Sequence, residues 1–304
     1  MSKVAVIGLG FVGATIAQVI VQSGVAKELI LIDKNQNKAI SEVLDIKDGL
    51  SFLSTSTKVT AGTYEDVTDC DVVISALGNV ALAVASDDRF AELKANIPAV
   101  KSVAKELKRV GFAGKLLVVT NPNDAMTGLF FNEMNLPASH VIGTGTVLDT
   151  ARMRHYVGDA LGIDGRSVNG YVIGEHGASQ VVMWSSVFIG GKSIFDIAKT
   201  TPVDLKLLAK KTREGGFHVV AGKGYTNVAI AEATVHILEA IVNDAKRVLT
   251  VSHYNENEGI YISTPAVVGK NGIEDVVYIN LTEKEQKLFD ESIEAIKEKG
   301  GFLV

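Results

Sequence analysis

The chain has 304 residues, a length that suits about two domains. Hydrophobic residues make up 47% and charged residues 21%, which excludes a disordered or fibrous chain and leaves a globular one with a large core. Thirty basic side chains against 35 acidic ones give a net charge of −5, no reason to expect a nucleic acid or an anionic membrane as partner. The single cysteine, Cys70, excludes an intrachain disulfide framework and fits a reducing compartment. No basic-then-apolar signal sequence precedes the first strand-like run, and no apolar stretch reaches the ~20 residues of a membrane-spanning helix. A cytoplasmic protein is expected.

The first element is a short β-branched strand, Val4 to Ile7, ended by Gly8-Leu-Gly-Phe-Val-Gly13. An amphipathic helical pattern runs on to about Ser23, and a second apolar run, Leu29 to Ile32, closes in Asp33. This is the G-x-G-x-x-G dinucleotide fingerprint in its required setting of strand, tight turn, helix, strand and acidic residue. Gly8 permits the tight turn, Gly10 lets backbone approach a pyrophosphate, and Gly13 lets the helix pack closely on the strand. The phosphates belong at the helix N-terminus, where free N–H groups and the dipole favour an anion. Asp33 can accept hydrogen bonds from both ribose hydroxyls and repels a 2′-phosphate, so NAD is the expected cofactor rather than NADP.

Further strands are expected at Lys58 to Ala61, Asp71 to Ala76 and Lys115 to Thr120, with a long helix over Arg89 to Val110 between the last two. Strand and helix alternating at this spacing predict a parallel sheet with right-handed crossovers. Ligands bind such sheets at the carboxyl ends of the strands, where the glycine loop, Asp33, Gly78 and Asn121 all fall. The fold class is therefore α/β, with a parallel sheet in the first half of the chain.

Two later motifs carry the chemistry. Asp149-Thr-Ala-Arg152 sets a carboxylate and a guanidinium three residues apart, on one face of a helix. Gly174-Glu-His-Gly177 supplies an imidazole. A guanidinium can grip a substrate carboxylate through two parallel hydrogen bonds. A histidine whose second ring nitrogen meets a buried Asp has a fixed tautomer and a stabilised imidazolium. Together they form a proton relay beside a carboxylate clamp. The other histidines lack carboxylate or cysteine partners at ligand spacing, so no metal is expected; His218, His236 and His253 are read as packing or surface residues.

With these motifs in one order, the chain resembles the L-lactate dehydrogenase family over essentially its whole length, and within it most closely the bacterial L-2-hydroxyisocaproate dehydrogenases. Asp88-Arg89-Phe90, Thr120-Asn121-Pro122, Gly143-Thr-Gly-Thr146 and Gly222-Lys-Gly-Tyr-Thr226 extend the resemblance. It implies the full α/β fold class, a Rossmann doubly wound parallel sheet that binds NAD over 1–142 followed by a mixed α/β substrate domain over 143–304, and a homotetramer. It also implies that His176 is general acid and base, that Asp149 orients it, and that Arg152 holds the substrate carboxylate. Arg89 would polarise the carbonyl, and Asn121 would bond the same oxygen or the nicotinamide ribose. Cofactor contacts are implied at Val12, Tyr64, Gly78 and Val119, and a substrate contact at Thr226.

The chain departs from the family between Gly78 and Arg89, the loop expected to close over substrate. Lactate enzymes usually carry a Gln there and malate enzymes an Arg; this loop has neither before Arg89 and reads about two residues longer. Asp87 and Asp88 disfavour a second substrate carboxylate, and the apolar loop favours an aliphatic chain. Gly215-Gly216, inside a helical pattern running from Asp204, is expected to widen the pocket for a longer side chain. Arg154 resembles half of a phosphate site whose histidine is replaced by Asn169, so activation by a sugar bisphosphate is not expected.

The expected activity is reversible hydride transfer between NADH and an aliphatic 2-keto acid like 2-ketoisocaproate. The alternative is an L-lactate dehydrogenase reducing pyruvate. A reading of another class, a dinucleotide sensor without catalysis, has no need of the relay.

Overall fold

The computed structural model describes residues 2–78 and 89–300, with the backbone alone at residues 89–91 and 299. Strands β1 (Lys3–Ile7) and β2 (Glu28–Ile32) explain how the core is organised. Successive side chains on a strand point to opposite faces. Val4, Val6, Leu29 and Leu31 accordingly enter one apolar cluster, while Ala5, Ile7, Ile30 and Ile32 enter a second one. Strands this apolar on both faces must be covered on both faces, which a parallel sheet flanked by helices achieves.

Helices α1 (Phe11–Ser23) and α2 (Gln36–Leu50) belong to the first half of the chain, with β3 (Lys58–Ala61) and β4 (Val72–Ser75) following. Helix α3 (Arg89–Arg109), β5 (Lys115–Val118), α4 (Asn123–Glu133) and β6 (Val141–Gly143) complete it. Ile16 and Ile20 of α1 bury in the first cluster; Val100, Val103 and Leu107 of α3 and Met126, Leu129 and Phe130 of α4 bury in the second. The parallel order is β3-β2-β1-β4-β5-β6, reversing direction between β1 and β4, where doubly wound sheets bind their ligands.

The second half begins with α5 (Val147–Leu161) and the paired short strands β7 (Val168–Asn169), β8 (Val172–Ile173), β9 (Val181–Val182), β10 (Phe188–Ile189) and β11 (Lys192–Ser193). One helical turn, α6 (Ile194–Ile197), leads to the long helices α7 (Leu205–Lys223) and α8 (Val228–Val242). Strands β12 (Arg247–Leu249), β13 (Ser252–Asn255), β14 (Ile260–Ser263), β15 (Ala266–Gly269) and β16 (Gly272–Val276) precede helix α9 (Glu283–Gly300).

Strands β13 and β14 add to the edge of the first sheet antiparallel, β13 pairing with β6 through Ser252 and Gly143. Helix α8 also returns to the first half, burying Ala231, Val235 and Leu238 in the cluster that holds α1. The two halves of the sequence thus share one sheet and one core. No helix of the described residues is long and apolar enough to cross a membrane.

Candidate active site

The glycine loop has the shape its sequence requires. Gly8 adopts φ +91°, and a Cβ on Gly13 would lie 1.8 Å from the Gly8 carbonyl oxygen, so helix and strand approach too closely for any side chain. Gly10 is exposed, with no atom within 4 Å of where its Cβ would be, and it caps α1 without any side-chain hydrogen bond. Among the described residues the start of α1 has no side-chain cap, and an uncapped helix N-terminus beside an open glycine fits a pyrophosphate.

Asp33 is fixed beside them. Its Oδ2 accepts from the Leu9 amide at 2.8 Å and its Oδ1 from the Asn35 amide at 2.9 Å. Each oxygen keeps a further lone pair for a ribose hydroxyl. Val12 is half-buried against the first core cluster, Val119 is buried within it, and Gly78 is exposed at the end of the described segment. Tyr64, in a short 3₁₀ turn, rests against the second cluster. Asn121 is exposed, its peptide bond to Pro122 is cis, and its carbonyl oxygen accepts from Asn96 Nδ2 at 2.7 Å.

The second group forms around Asp149 on the first turn of α5. Its carboxylate is buried, and each oxygen has a distinct partner. Oδ2 lies 2.6 Å from His176 Nδ1, and Oδ1 accepts from Arg152 at 2.9 Å and from Gln180 Nε2 at 3.3 Å. A carboxylate can only accept, so Nδ1 carries the proton and Nε2 is the ring nitrogen that Asp149 does not engage. Burial disfavours the charged imidazolium, but the charge of Asp149 and its hydrogen bond outweigh it and raise the His176 pKa. Burial likewise opposes charge on Asp149, and the nearby His176 and Arg152 overcome it to lower that carboxyl.

The helix that carries Asp149 is itself tightly tied. Thr146 Oγ1 donates to the Val172 carbonyl at 2.6 Å, and Thr150 Oγ1 accepts from the Val172 amide at 2.9 Å. The histidine loop is held at its glutamate: the Glu175 amide donates to Ser292 Oγ and Ser179 Oγ donates to Glu175 Oε2. A Cβ at Gly177 would lie 2.5 Å from the Glu175 carboxyl carbon, which accounts for the glycine after the histidine.

Gly215-Gly216 departs from expectation. Helix α7 runs through the pair without a break, and both glycines face Arg152. A Cβ on Gly215 would lie 3.1 Å from Arg152 Cδ, and one on Gly216 3.3 Å from its Nη2. The space they leave is filled by the guanidinium stem and fork. Thr226 is half-buried in the turn between α7 and α8.

The lid read at residues 79–88, with Asp87 and Asp88, lies outside the described residues, and so does the side chain of Arg89. Among the described residues no three His, Cys, Asp or Glu side chains gather as metal ligands. Of the remaining histidines, His253 is buried with Nε2 2.7 Å from Thr264 Oγ1, His236 Nδ1 faces Arg247, and His218 is exposed. Sequence reasoning missed two groups at the site, Gln180 and Asp124. Asp124 Oδ2 accepts from the His176 amide at 2.9 Å. Its only signal was a carboxylate two residues after Pro122, at the start of a helix.

A dinucleotide loop at the switch point of a doubly wound sheet, next to an imidazole–carboxylate pair, defines a nicotinamide-dependent dehydrogenase. Residues 2–143 match the NAD binding domain of lactate/malate dehydrogenases, and residues 146–300 match their alpha/beta C-terminal domain. L-lactate dehydrogenase 2 of Enterococcus faecalis (strain ATCC 700802 / V583) is 36% identical over 304 residues, covering 97% of this chain and 95% of its own length. L-lactate dehydrogenase of Priestia megaterium is also 36% identical, with the same coverage of both chains. The ligand-bound crystal structure of minor L-lactate dehydrogenase from Enterococcus mundtii superimposes with a TM-score of 0.94 at 36% identity, covering 100% of this chain and 98% of that one. The chain belongs to the lactate/malate dehydrogenase family, and is an NAD-dependent oxidoreductase of CH–OH groups. These relatives are named for lactate; they do not carry the finer likeness to 2-hydroxyisocaproate enzymes.

Proposed function

We propose that the chain is an L-lactate dehydrogenase, reducing pyruvate with NADH and running in reverse on L-lactate. The observation that carries this reading is the sharing of one buried carboxylate, Asp149, between the His176 imidazole and the Arg152 guanidinium. The names of the relatives and of the superimposable structure support pyruvate over longer 2-keto acids.

Arg152 grips the substrate carboxylate with the fork atoms that Asp149 leaves free, and so fixes the 2-oxo carbon. His176 Nε2 donates its proton to the 2-oxo oxygen as the C–O double bond opens, and Asp149 stabilises the imidazolium that precedes this step. Arg89 is assigned to polarise that oxygen, and Asn121 to bond it or the nicotinamide ribose. NADH, when bound, would supply the hydride. The glycine loop at Gly8, Gly10 and Gly13, with Asp33, Val12, Tyr64, Gly78 and Val119, is assigned to hold the dinucleotide, and Thr226 to border the substrate methyl. Residues 1–142 are assigned to the cofactor and 143–304 to the substrate, in a cytoplasmic homotetramer.

One observation favours a second reading, a longer aliphatic 2-keto acid such as 2-ketoisocaproate. The segment Asn79 to Asp88 is rich in alanine and valine and carries neither Gln nor Arg. NADH oxidation with pyruvate, 2-ketoisocaproate and oxaloacetate separates the cases. The proposal expects the highest kcat/KM for pyruvate; a higher value for 2-ketoisocaproate transfers the assignment to the second reading. Turnover of none of the three overturns both.

A further inference from the structure

Asp124 is a buried carboxylate that the proton relay as described leaves unused. It occupies the first turn of α4, two residues beyond Pro122, and is 4% exposed. Its Oδ2 accepts the backbone N–H of His176 at 2.9 Å, and its Oδ1 accepts the hydroxyl of Ser252 on β13 at 2.6 Å. Its neighbour Asn123 performs the matching task for the other partner of the relay. Asn123 Oδ1 accepts from the Gly145 amide at 2.9 Å, and its Nδ2 donates to the Val118 carbonyl at 2.9 Å. Gly145 lies just ahead of α5, the helix that carries Asp149. One helical start, set against the carboxyl end of β5, therefore grips both the histidine loop and the entrance to the Asp149 helix.

We propose that Asp124 is a positioning residue for His176: its carboxylate holds the histidine's backbone from the side of the nicotinamide sheet and fixes where the imidazole meets the substrate. The inference rests on the reading of His176 as proton donor. An unpaired amide at residue 176 would let the loop shift, and about 1 Å of misplacement at a reacting group costs on the order of 100-fold in rate. A neutral anchor would hold a backbone N–H nearly as well, so the negative charge calls for a reason of its own. Burial raises the Asp124 carboxyl to about 6, against the pull of its bonds to Ser252 and to the His176 amide. The charged groups facing it are Glu175 and His176 from the histidine loop, while Ser252 faces it from β13. His176 in turn faces Asp149 and Arg152 from α5 as well as Asp124. Like Asp149, Asp124 favours the imidazolium.

Three variants separate position from charge. Asp124→Asn can keep both bonds, its oxygen on the His176 amide and its amide group turned to the Ser252 hydroxyl, while losing the charge. Asp124→Ala loses both, and Ser252→Ala loosens the carboxylate without touching the histidine. The readouts are kcat and KM for pyruvate reduction against pH, NADH affinity by fluorescence, and the His176 imidazole pKa by NMR of histidine-labelled protein. Asp124→Ala is expected to lower kcat on the order of 100-fold with NADH affinity within about twofold. Asp124→Asn is expected to keep most of kcat, while the alkaline limb of the pH profile and the imidazole titration both move to lower pH. Ser252→Ala is expected to fall between wild type and Asp124→Ala.

Wild-type kcat and pH profile in Asp124→Ala overturn the proposal. Should that variant not fold, Ser252→Ala decides: a wild-type kcat and a wild-type pH profile there overturn it. The NMR titration needs no turnover. A wild-type enzyme inactive on every 2-keto acid therefore sinks the functional reading, whereas a His176 imidazole titration unmoved in Asp124→Ala sinks this one.

Discussion

His176 Nδ1 stands 2.6 Å from Asp149 Oδ2, and the other oxygen of that carboxylate accepts from Arg152 at 2.9 Å. The proton-handling group and the carboxylate-binding group are thereby locked to one another. A change at Asp149 must disturb both. Asp149→Asn is expected to present an amide N–H to Nδ1, favour the wrong imidazole tautomer and release Arg152. Steady-state assays should record a loss on the order of 10³–10⁴ in kcat, with a raised KM beside it.

The direction of the His176 shift sets the pH dependence. Its pKa is raised because Asp149 outweighs the effect of burial. Keto-acid reduction needs the imidazolium, so kcat/KM for pyruvate should be flat below that raised pKa and fall as pH rises through it. Hydroxy-acid oxidation needs the neutral ring and should rise over the same interval. Profiles measured in both directions should cross, with inflections above the ordinary histidine value of 6.5.

Gly216 faces the Arg152 fork with 3.3 Å between its would-be Cβ and Nη2. Gly216→Val is expected to push the guanidinium aside and raise the KM for pyruvate about tenfold or more, a cost of ~1.4 kcal/mol, while NADH affinity stays put. Substrate kinetics and fluorescence titration of NADH check the two halves of this expectation.

Arg152→Lys keeps the charge but replaces a planar fork by one ammonium. Substrate binding should weaken far more than the bound-state chemistry, so KM rises before kcat falls. An unchanged KM would remove Arg152 from the clamp.

Much of this was legible in the sequence because it is local. The strand, glycine loop, helix and Asp33 occupy one short stretch, and their order alone dictates a parallel unit; β1, α1 and β2 fall where the pattern put them. The helix expected over Arg89 to Val110 spans Arg89–Arg109. Asp149 and Arg152 meet because three residues of helix bring them together. What escaped depends on distant partners. Nothing near Ser252 announces that β13 pairs with β6, since that pairing joins residues more than a hundred positions apart. Asp124 escaped for the same reason, with both of its partners on other elements. The glycines at 215 and 216 were read as widening the pocket, whereas their neighbour is Arg152, across a helix contact that spacing cannot reveal.

The most direct test of the account is single-turnover NADH oxidation by pyruvate in wild type and in His176→Ala. Rapid oxidation in the wild type, with a loss on the order of 10² to 10⁴ in the variant and NADH binding preserved, is the predicted result. A variant that oxidises NADH as fast as the wild type would contradict the assignment of His176 as the proton donor.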